Sequence, residues 1–252
     1  MQEICRITEV KALTETLFSL RFETKQMAAL AKPGQFVHIK CGGEQFLRRP
    51  ISIADVSENK ITIVFEAKGE GTKWLSRRRA GEELDLLGPQ GRGYDLAKAG
   101  AAPIFIGGGI GVPPLLLAAR QAAGGRAILG FRTAGAVILR EDFQALCREV
   151  LVCTDDGSFG IRGFVTDALR QTLKKEAGTA IYACGPRPML RGVAEIAKEQ
   201  GIFCQVSMEE RMGCGVGACL VCACKVKSED ADFALKHVCK DGPVFNAEEV
   251  IL

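Results

Sequence analysis

No stretch of eighteen consecutive apolar residues occurs in this chain, so a membrane-spanning helix is excluded. Charge of one sign is also lacking: 33 Lys and Arg oppose 30 Asp and Glu, and the net charge of +3 is too small to argue for nucleic-acid binding. Histidine is scarce. The two present, His38 and His237, fall in different segments, which leaves Rieske-type ligation without the second histidine it needs. The first residues, Met-Gln-Glu-Ile-Cys-Arg, carry neither a basic stretch nor an apolar core, so no signal peptide is expected. Internal repeats and low-complexity segments are absent as well.

What is present is an ordinary globular composition, 47% hydrophobic and 25% charged over 252 residues. That length suits two domains and a small module. Cysteine is the exception, with 11 copies. A disulfide scaffold would need a much shorter secreted chain. Six cysteines (Cys5, Cys41, Cys147, Cys153, Cys184, Cys204) are scattered singly, as small buried residues are. The others crowd the last part of the chain. A reducing cytoplasm fits this usage.

The crowded part reads Cys214-Gly-Val-Gly-Ala-Cys219-Leu-Val-Cys222, with Cys239 further on. The spacing C-x4-C-x2-C plus one distant cysteine is that of plant-type 2Fe-2S proteins, whose two irons take two thiolates each. Gly213, Gly215, Gly217 and Ala218 keep side chains off a loop that must wrap iron and sulfide, and glycine permits turns that aim N–H groups at sulfur. Zinc is the competing occupant, but structural zinc sites usually show two close cysteine pairs and this tail has one C-x-x-C. Cys224 competes for the fourth place, because in an extended strand it faces the same side as Cys222. The spacing prefers Cys239, leaving Cys224 spare.

Upstream, the chain to about residue 97 reads as short strands. Phe36-Val-His-Ile-Lys and Ile61-Thr-Ile-Val-Phe are examples, separated by Pro33-Gly34, Gly42-Gly43, Gly81 and Gly88-Pro89. An antiparallel barrel is the natural closure. After Gly100 strand and helix patterns alternate, starting with Pro103-Ile-Phe-Ile-Gly and continuing to Leu190-Arg-Gly-Val-Ala. That rhythm predicts a parallel α/β sheet, whose ligands collect beyond the carboxyl ends of its strands. The expected division is a barrel over 1–98, an α/β domain over 99–205 and a cluster module over 206–252.

Several short motifs punctuate this frame, each with a plainer reading beside it. Gly107-Gly-Gly-Ile-Gly-Val-Pro-Pro114 lies between a strand and a predicted helix at Pro113, where glycines let a diphosphate approach backbone N–H groups. It lacks the Gly-Lys-Ser/Thr of a P-loop and ends in proline where the dinucleotide fingerprint has glycine; a tight turn is the alternative. Arg49-Pro-Ile-Ser52 is expected to close a barrel strand. Arg49 offers a fork of donors for phosphate and Ser52 a hydroxyl for a flavin edge, against the reading of a surface arginine. Gly69-Glu-Gly71-Thr72 precedes a helical pattern and suits a phosphate, or simply an N-cap by Thr72. Arg77-Arg-Arg79 reads as a solvated helix end. Cys184-Gly-Pro-Arg-Pro-Met189 follows an apolar strand, at the place a nicotinamide would occupy or where a cysteine merely fills the core.

The order R-P-I-S, G-E-G-T, G-G-G-I-G-V-P-P, C-G-P resembles the ferredoxin–NADP reductase superfamily. The stretches Met208-Glu-Glu-Arg-Met-Gly-Cys-Gly-Val-Gly-Ala-Cys219 and Arg48-Arg-Pro-Ile-Ser-Ile-Ala-Asp55 resemble the electron-transfer subunits of class 1B dihydroorotate dehydrogenases, and the likeness covers essentially the whole chain. The resemblance implies FAD contacts at Arg49, Pro50, Ile51 and Ser52, at Val64, Phe65 and Glu66, and at Gly71 and Thr72. It implies NAD contacts at Gly107, Gly108, Gly109 and Gly111 and at Cys184, Gly185 and Pro186. It implies cluster ligation by Cys214, Cys219, Cys222 and Cys239. Reductases ending at the nucleotide domain often stack a terminal aromatic on the flavin, whereas this chain ends Val250-Ile-Leu252.

The resemblance further implies a relay in pyrimidine biosynthesis from the FMN of a catalytic subunit through the cluster and FAD to NAD+. A flavin suits the middle, since the cluster carries one electron and NAD+ takes a hydride. No side chain is then required as acid or base. A catalytic barrel alone takes about 250 residues, so the dihydroorotate site is expected on a partner chain, in a heteromer expected to be a heterotetramer. Sister complexes remain alternatives: sulfide dehydrogenase, hydrogenase and ferredoxin:NADP+ oxidoreductase. Arg132-Thr133, after the second strand of the α/β domain, leaves NADP open, while the resemblance favours NAD.

Overall fold

A computed structural model describes residues 1–252. The first half is a closed antiparallel barrel. Its strands are β1 (Gln2–Ala12), β2 (Leu17–Glu23), β3 (Phe36–Ile39), β4 (Arg49–Ser57), β5 (Lys60–Glu66) and β6 (Glu83–Gln90), in the order β1-β2-β5-β4-β3-β6. Two short helices interrupt them, α1 (Met27–Leu30) and α2 (Glu70–Ser76). Alternation of apolar and polar residues sends Leu20, Phe22, Ile61, Ile63 and Phe65 into a common interior. Arg49 opens β4 instead of closing a strand. Pro50 follows at once, and a proline is tolerated among the first residues of a strand, where a missing N–H costs least.

The second half is a seven-stranded sheet of β7 (Pro103–Gly108), β8 (Arg126–Phe131), β9 (Glu149–Thr154), β10 (Ile161–Arg162), β11 (Ala180–Cys184), β12 (Phe203–Ser207) and a later strand, β15 (Val244–Asn246). The order is β10-β9-β8-β7-β11-β12-β15, parallel except for the last pair. Helices α3 (Leu116–Ala122), α4 (Arg140–Leu146), α5 (Val165–Lys175) and α6 (Arg187–Glu199) connect its strands. The predicted helix at Pro113 begins as tight 3-10 turns over Gly109–Gly111 and Pro113–Leu115 before α3, since consecutive prolines supply no N–H to an α-helical ladder.

The tail adds one hairpin, β13 (Ala223–Val226) with β14 (Ala234–His237), and then returns through β15 to the sheet. The expected boundary at 205/206 therefore falls inside β12, and the C-terminal segment shares a sheet with the α/β half. Packing unites the parts further. One core holds Ala54 and Val64 of the barrel with Leu115 and Ala118 of the α/β half, and another holds Phe36 with Cys222, Val238 and Phe245. Arg120 of α3 grips Asp55 of β4 through two hydrogen bonds of 2.9 and 2.8 Å.

Candidate functional site

At the mouth of the barrel two motifs meet. The Arg49 side chain crosses Gly71 so closely that a Cβ there would stand 2.6 Å from Arg49 Nε. Arg48 is committed elsewhere, with both carboxylate oxygens of Asp85 at 2.9 Å and the Asp85 carbonyl at 2.8 Å. Arg49 instead donates within its own loop, to the Gln45 amide oxygen at 2.7 Å and to the Leu47 carbonyl. Of the two guanidiniums, it is the one with no carboxylate partner. Thr72 does not cap its helix. Gly69 is the cap, and Thr72, at the third helical position, accepts from the Lys68 and Gly69 amides at 3.0 and 3.1 Å. Glycine has no oxygen to offer at a cap, so the hydroxyl reaching back ties down the turn. Val64 and Phe65 are buried on opposite sides of β5, and Glu66 is exposed at its end.

The next pair of motifs meets across β7 and β11, whose register pairs Gly107 with Cys184. A Cβ at Gly111 would lie 2.4 Å from the Cys184 carbonyl oxygen, and one at Gly108 would lie 2.6 Å from the Met189 sulfur and 3.0 Å from Pro186. Gly111 is thus required by backbone crowding between the two loops, whereas Gly108 is crowded by the Met189 and Pro186 side chains. Gly109 differs: its φ is +55° and a Cβ there would touch nothing, so that turn faces open space at the carboxyl end of the strand. The Gly109–Gly111 turn also contacts β5, and Pro113–Leu115 packs on β4, so this site adjoins the barrel strands that bear the first one. Burial pushes the Cys184 thiol up to about 12, which keeps it neutral. Arg132 and Thr133 lie exposed just past β8.

In the tail the loop that carries Cys214, Cys219 and Cys222 is tied to the turn that carries Cys239, where Val238 donates to the Cys222 carbonyl at 3.0 Å. Gly215 and Gly217, at φ +71° and +81°, bend the loop so that backbone amides face sulfur. Val216, Ala218 and Cys219 donate to Cys214 Sγ at 3.4, 3.2 and 3.4 Å, and Gly217 donates to Cys239 Sγ at 3.2 Å. Desolvation raises the Cys214 thiol, but the amides of Val216, Cys219 and Ala218 outweigh it and bring the group down to about 6. Cys239 goes the other way, to about 12, through burial and then its neighbour Cys222. These features fit a 2Fe-2S cluster, whose sulfurs carry negative charge that N–H donors stabilise. Cys224 is buried in the same apolar core as Cys222 and Cys239. Around the loop, Val216, Leu220 and Val221 form an exposed apolar rim.

Sequence reasoning placed His38 in the barrel and gave it no role. The structure brings it against the cluster loop: a Cβ at Gly215 would stand 2.3 Å from His38 Nδ1. In register it is paired with Pro50 of the R-P-I-S motif. Burial lowers its pKa to about 4. A second link joins the nucleotide and cluster regions, where Arg187, directly after C-G-P, pairs with Glu210 ahead of Cys214.

A flavin-type barrel, a nucleotide sheet and a two-iron loop in one chain define an oxidoreductase of the ferredoxin reductase type. Family models agree, matching an oxidoreductase NAD-binding domain over 105–195 and the iron-sulfur cluster binding domain of dihydroorotate dehydrogenase B over 209–251. The "dihydroorotate dehydrogenase B (NAD(+)), electron transfer subunit" of Caldanaerobacter subterraneus subsp. tengcongensis is 40% identical over 246 residues, 98% of this chain and 97% of the relative. Its namesake from Bacillus caldolyticus is 40% identical over 262 residues, 100% and 99% of the two chains. Among solved structures, the NADH-dependent reduced ferredoxin-NADP oxidoreductase superposes with a TM-score of 0.87 at 29% identity, over 99% of this chain and 90% of that one. A ferredoxin NADP+ reductase from Neisseria gonorrhoeae with bound FAD and NADP shares the fold, with a TM-score of 0.67 at 16% identity over 80% and 92%. The chain belongs to the family of electron-transfer subunits of dihydroorotate dehydrogenase B. The matched domains give it an iron–sulfur cluster and NAD as cofactors.

Proposed function

We propose that this chain carries electrons from the FMN of a separate dihydroorotate dehydrogenase catalytic subunit to NAD+, in the cytoplasm and within a heterotetramer. When bound, the cluster supplies one-electron steps, the FAD one- or two-electron steps, and NAD+ accepts a hydride. Arg49, through to Ser52, holds the FAD together with Val64, Phe65, Glu66, Gly71 and Thr72. The Gly107–Gly111 loop and Cys184, Gly185 and Pro186 form the nicotinamide nucleotide site. Cys214, Cys219, Cys222 and Cys239 ligate the irons, and the loop amide of Gly217 donated to Cys239 Sγ supports Cys239 over Cys224 as the fourth. The exposed rim of Val216, Leu220 and Val221 supports docking of the catalytic subunit on the cluster side. No helix is long and apolar enough to cross a membrane.

The observation that carries this reading is the meeting of three sets of motif residues in one chain: Arg49 with Gly71, Gly111 with Cys184, and the cysteine loop whose amides face Cys214 and Cys239. Purification with the catalytic subunit tests it through the visible spectrum and metal content. FAD and two irons per chain are expected; a colourless chain, or stoichiometric zinc, contradicts it. The likeness to the reduced ferredoxin-NADP oxidoreductase favours a second reading, a subunit of a related ferredoxin- and nucleotide-linked complex. Higher identity and the cluster-domain match favour the first. The protein that co-purifies distinguishes them, and turnover with NAD+ against NADP+ tests the nucleotide assignment.

A further inference from the structure

We propose that His38 is a positioning residue for the iron–sulfur centre: its ring N–H, on Nδ1, is donated to a sulfur of the 2Fe-2S cluster across Gly215. The proposal rests on the ligand assignment made above. His38 is 1% exposed, and neither ring nitrogen has a hydrogen-bond partner in the protein. A buried imidazole in that state is rare, because its N–H is costly to leave unpaired. The ring is also held in place. Its strand is paired on both sides, with Pro50 and with Leu87, Arg48 donates to the His38 carbonyl at 3.4 Å, and Phe36 meets the ring edge-on.

The direction of the donor follows from Gly215. Distances from a Cβ built there rise from 2.3 Å at Nδ1 to 2.7 Å at Cε1 and 3.1 Å at Cγ, so the Nδ1 corner points at the loop. Any side chain at position 215 would fill the space between them. The loop's own amides already serve Cys214 and Cys239, and the protein acceptor beside the ring, the Arg48 backbone, does not meet hydrogen-bond geometry with either ring nitrogen. Cluster sulfurs are the acceptors that occupancy of this loop would bring. A donor to sulfur stabilises the reduced centre and raises its potential.

Scarcity of histidine makes the test direct. In the complex with its catalytic subunit, histidine is labelled with 15N, and His237→Asn leaves His38 as the chain's one labelled ring. Pulsed EPR of the reduced cluster is expected to show a 15N coupling in His237→Asn. His38→Phe is expected to abolish it and to shift electron sharing between cluster and FAD about tenfold toward FAD, about 59 mV for one electron. His38→Gln, which keeps an N–H donor, is expected to restore part of that shift. Absence of coupling in His237→Asn overturns the proposal, even where His38→Phe fails to assemble. An unchanged cluster potential in His38→Phe overturns it too. Cysteine variants report separately on the ligand reading. Loss of the EPR signal in Cys224→Ser with retention in Cys239→Ser removes both, whereas a normal cluster without His38 coupling removes the proposal alone.

Discussion

Arg49 lies across Gly71 with no space for a side chain between them: a Cβ at position 71 would come within 2.6 Å of Nε and 2.9 Å of Cζ. Two motifs more than twenty residues apart are thereby brought together, as the proposed FAD site requires. Gly71→Ala displaces the guanidinium without touching backbone, so the fold survives while FAD binding weakens. Arg49→Ala removes charge-assisted hydrogen bonds worth about 1.5–3 kcal/mol, roughly ten- to a hundredfold in Kd. Flavin absorbance after dialysis, beside an unchanged circular dichroism spectrum, checks both.

The glycine loop offers a contrast between two single substitutions. Gly111→Ala forces a methyl to 2.4 Å from the Cys184 carbonyl, and backbone has little freedom to yield. A loss of about 1–3 kcal/mol in unfolding free energy is expected, as for other overpacked sites. Gly109→Ala meets nothing in the protein but sits at φ +55°, which costs about 1–2 kcal/mol. Its methyl projects where the nucleotide is to lie, so KM for NAD+ rises out of proportion to that loss. Urea unfolding and steady-state kinetics separate the two effects.

Thiol chemistry of the cluster-free chain follows from the loop's amides. Cys214 titrates near 6 and Cys239 near 12, so at pH 7 the first is thiolate and the second thiol. Because the thiolate is the nucleophile, iodoacetamide is expected to label Cys214 before Cys224 or Cys239. The preference fades once the pH falls below about 6. Peptide mapping by mass spectrometry reads the order directly.

Acid sensitivity is expected from His38. Its folded pKa of about 4 lies below the ordinary 6.5, so on acidification the unfolded chain binds the proton first. The contribution to stability is full above about 6.5 and is lost as the pH falls through 4, roughly 3 kcal/mol in all. Urea midpoints at pH 7 and pH 5 should therefore diverge more for the native chain than for His38→Phe. Equal divergence would place the acid sensitivity elsewhere.

Much of the site was legible before the structure because each motif sits where a local pattern changes. Gly107–Gly111 follows an apolar strand and Cys184 follows another, and parallel strands bring their carboxyl ends together whatever the loops contain. The cysteine spacing was equally local. Contacts between distant segments were not legible. Nothing near His38 announces that Gly215 will pack on its ring. The return of Val244–Asn246 to the sheet was hidden because three residues show no periodicity of their own, and their place is set by pairing with β12. The alternative of an N-cap by Thr72 fails by the same route. Its hydroxyl does bind the turn, but from the third helical position, because Gly69 is what leaves the barrel strand.

The central claim is that electrons enter from another chain and leave as NADH. The most direct measurement is dihydroorotate-dependent reduction of NAD+, followed at 340 nm, by this chain purified together with its catalytic subunit. The account predicts NADH formation by the complex and none by either chain alone. Absence of NADH formation by a complex that retains its flavins and iron would contradict it.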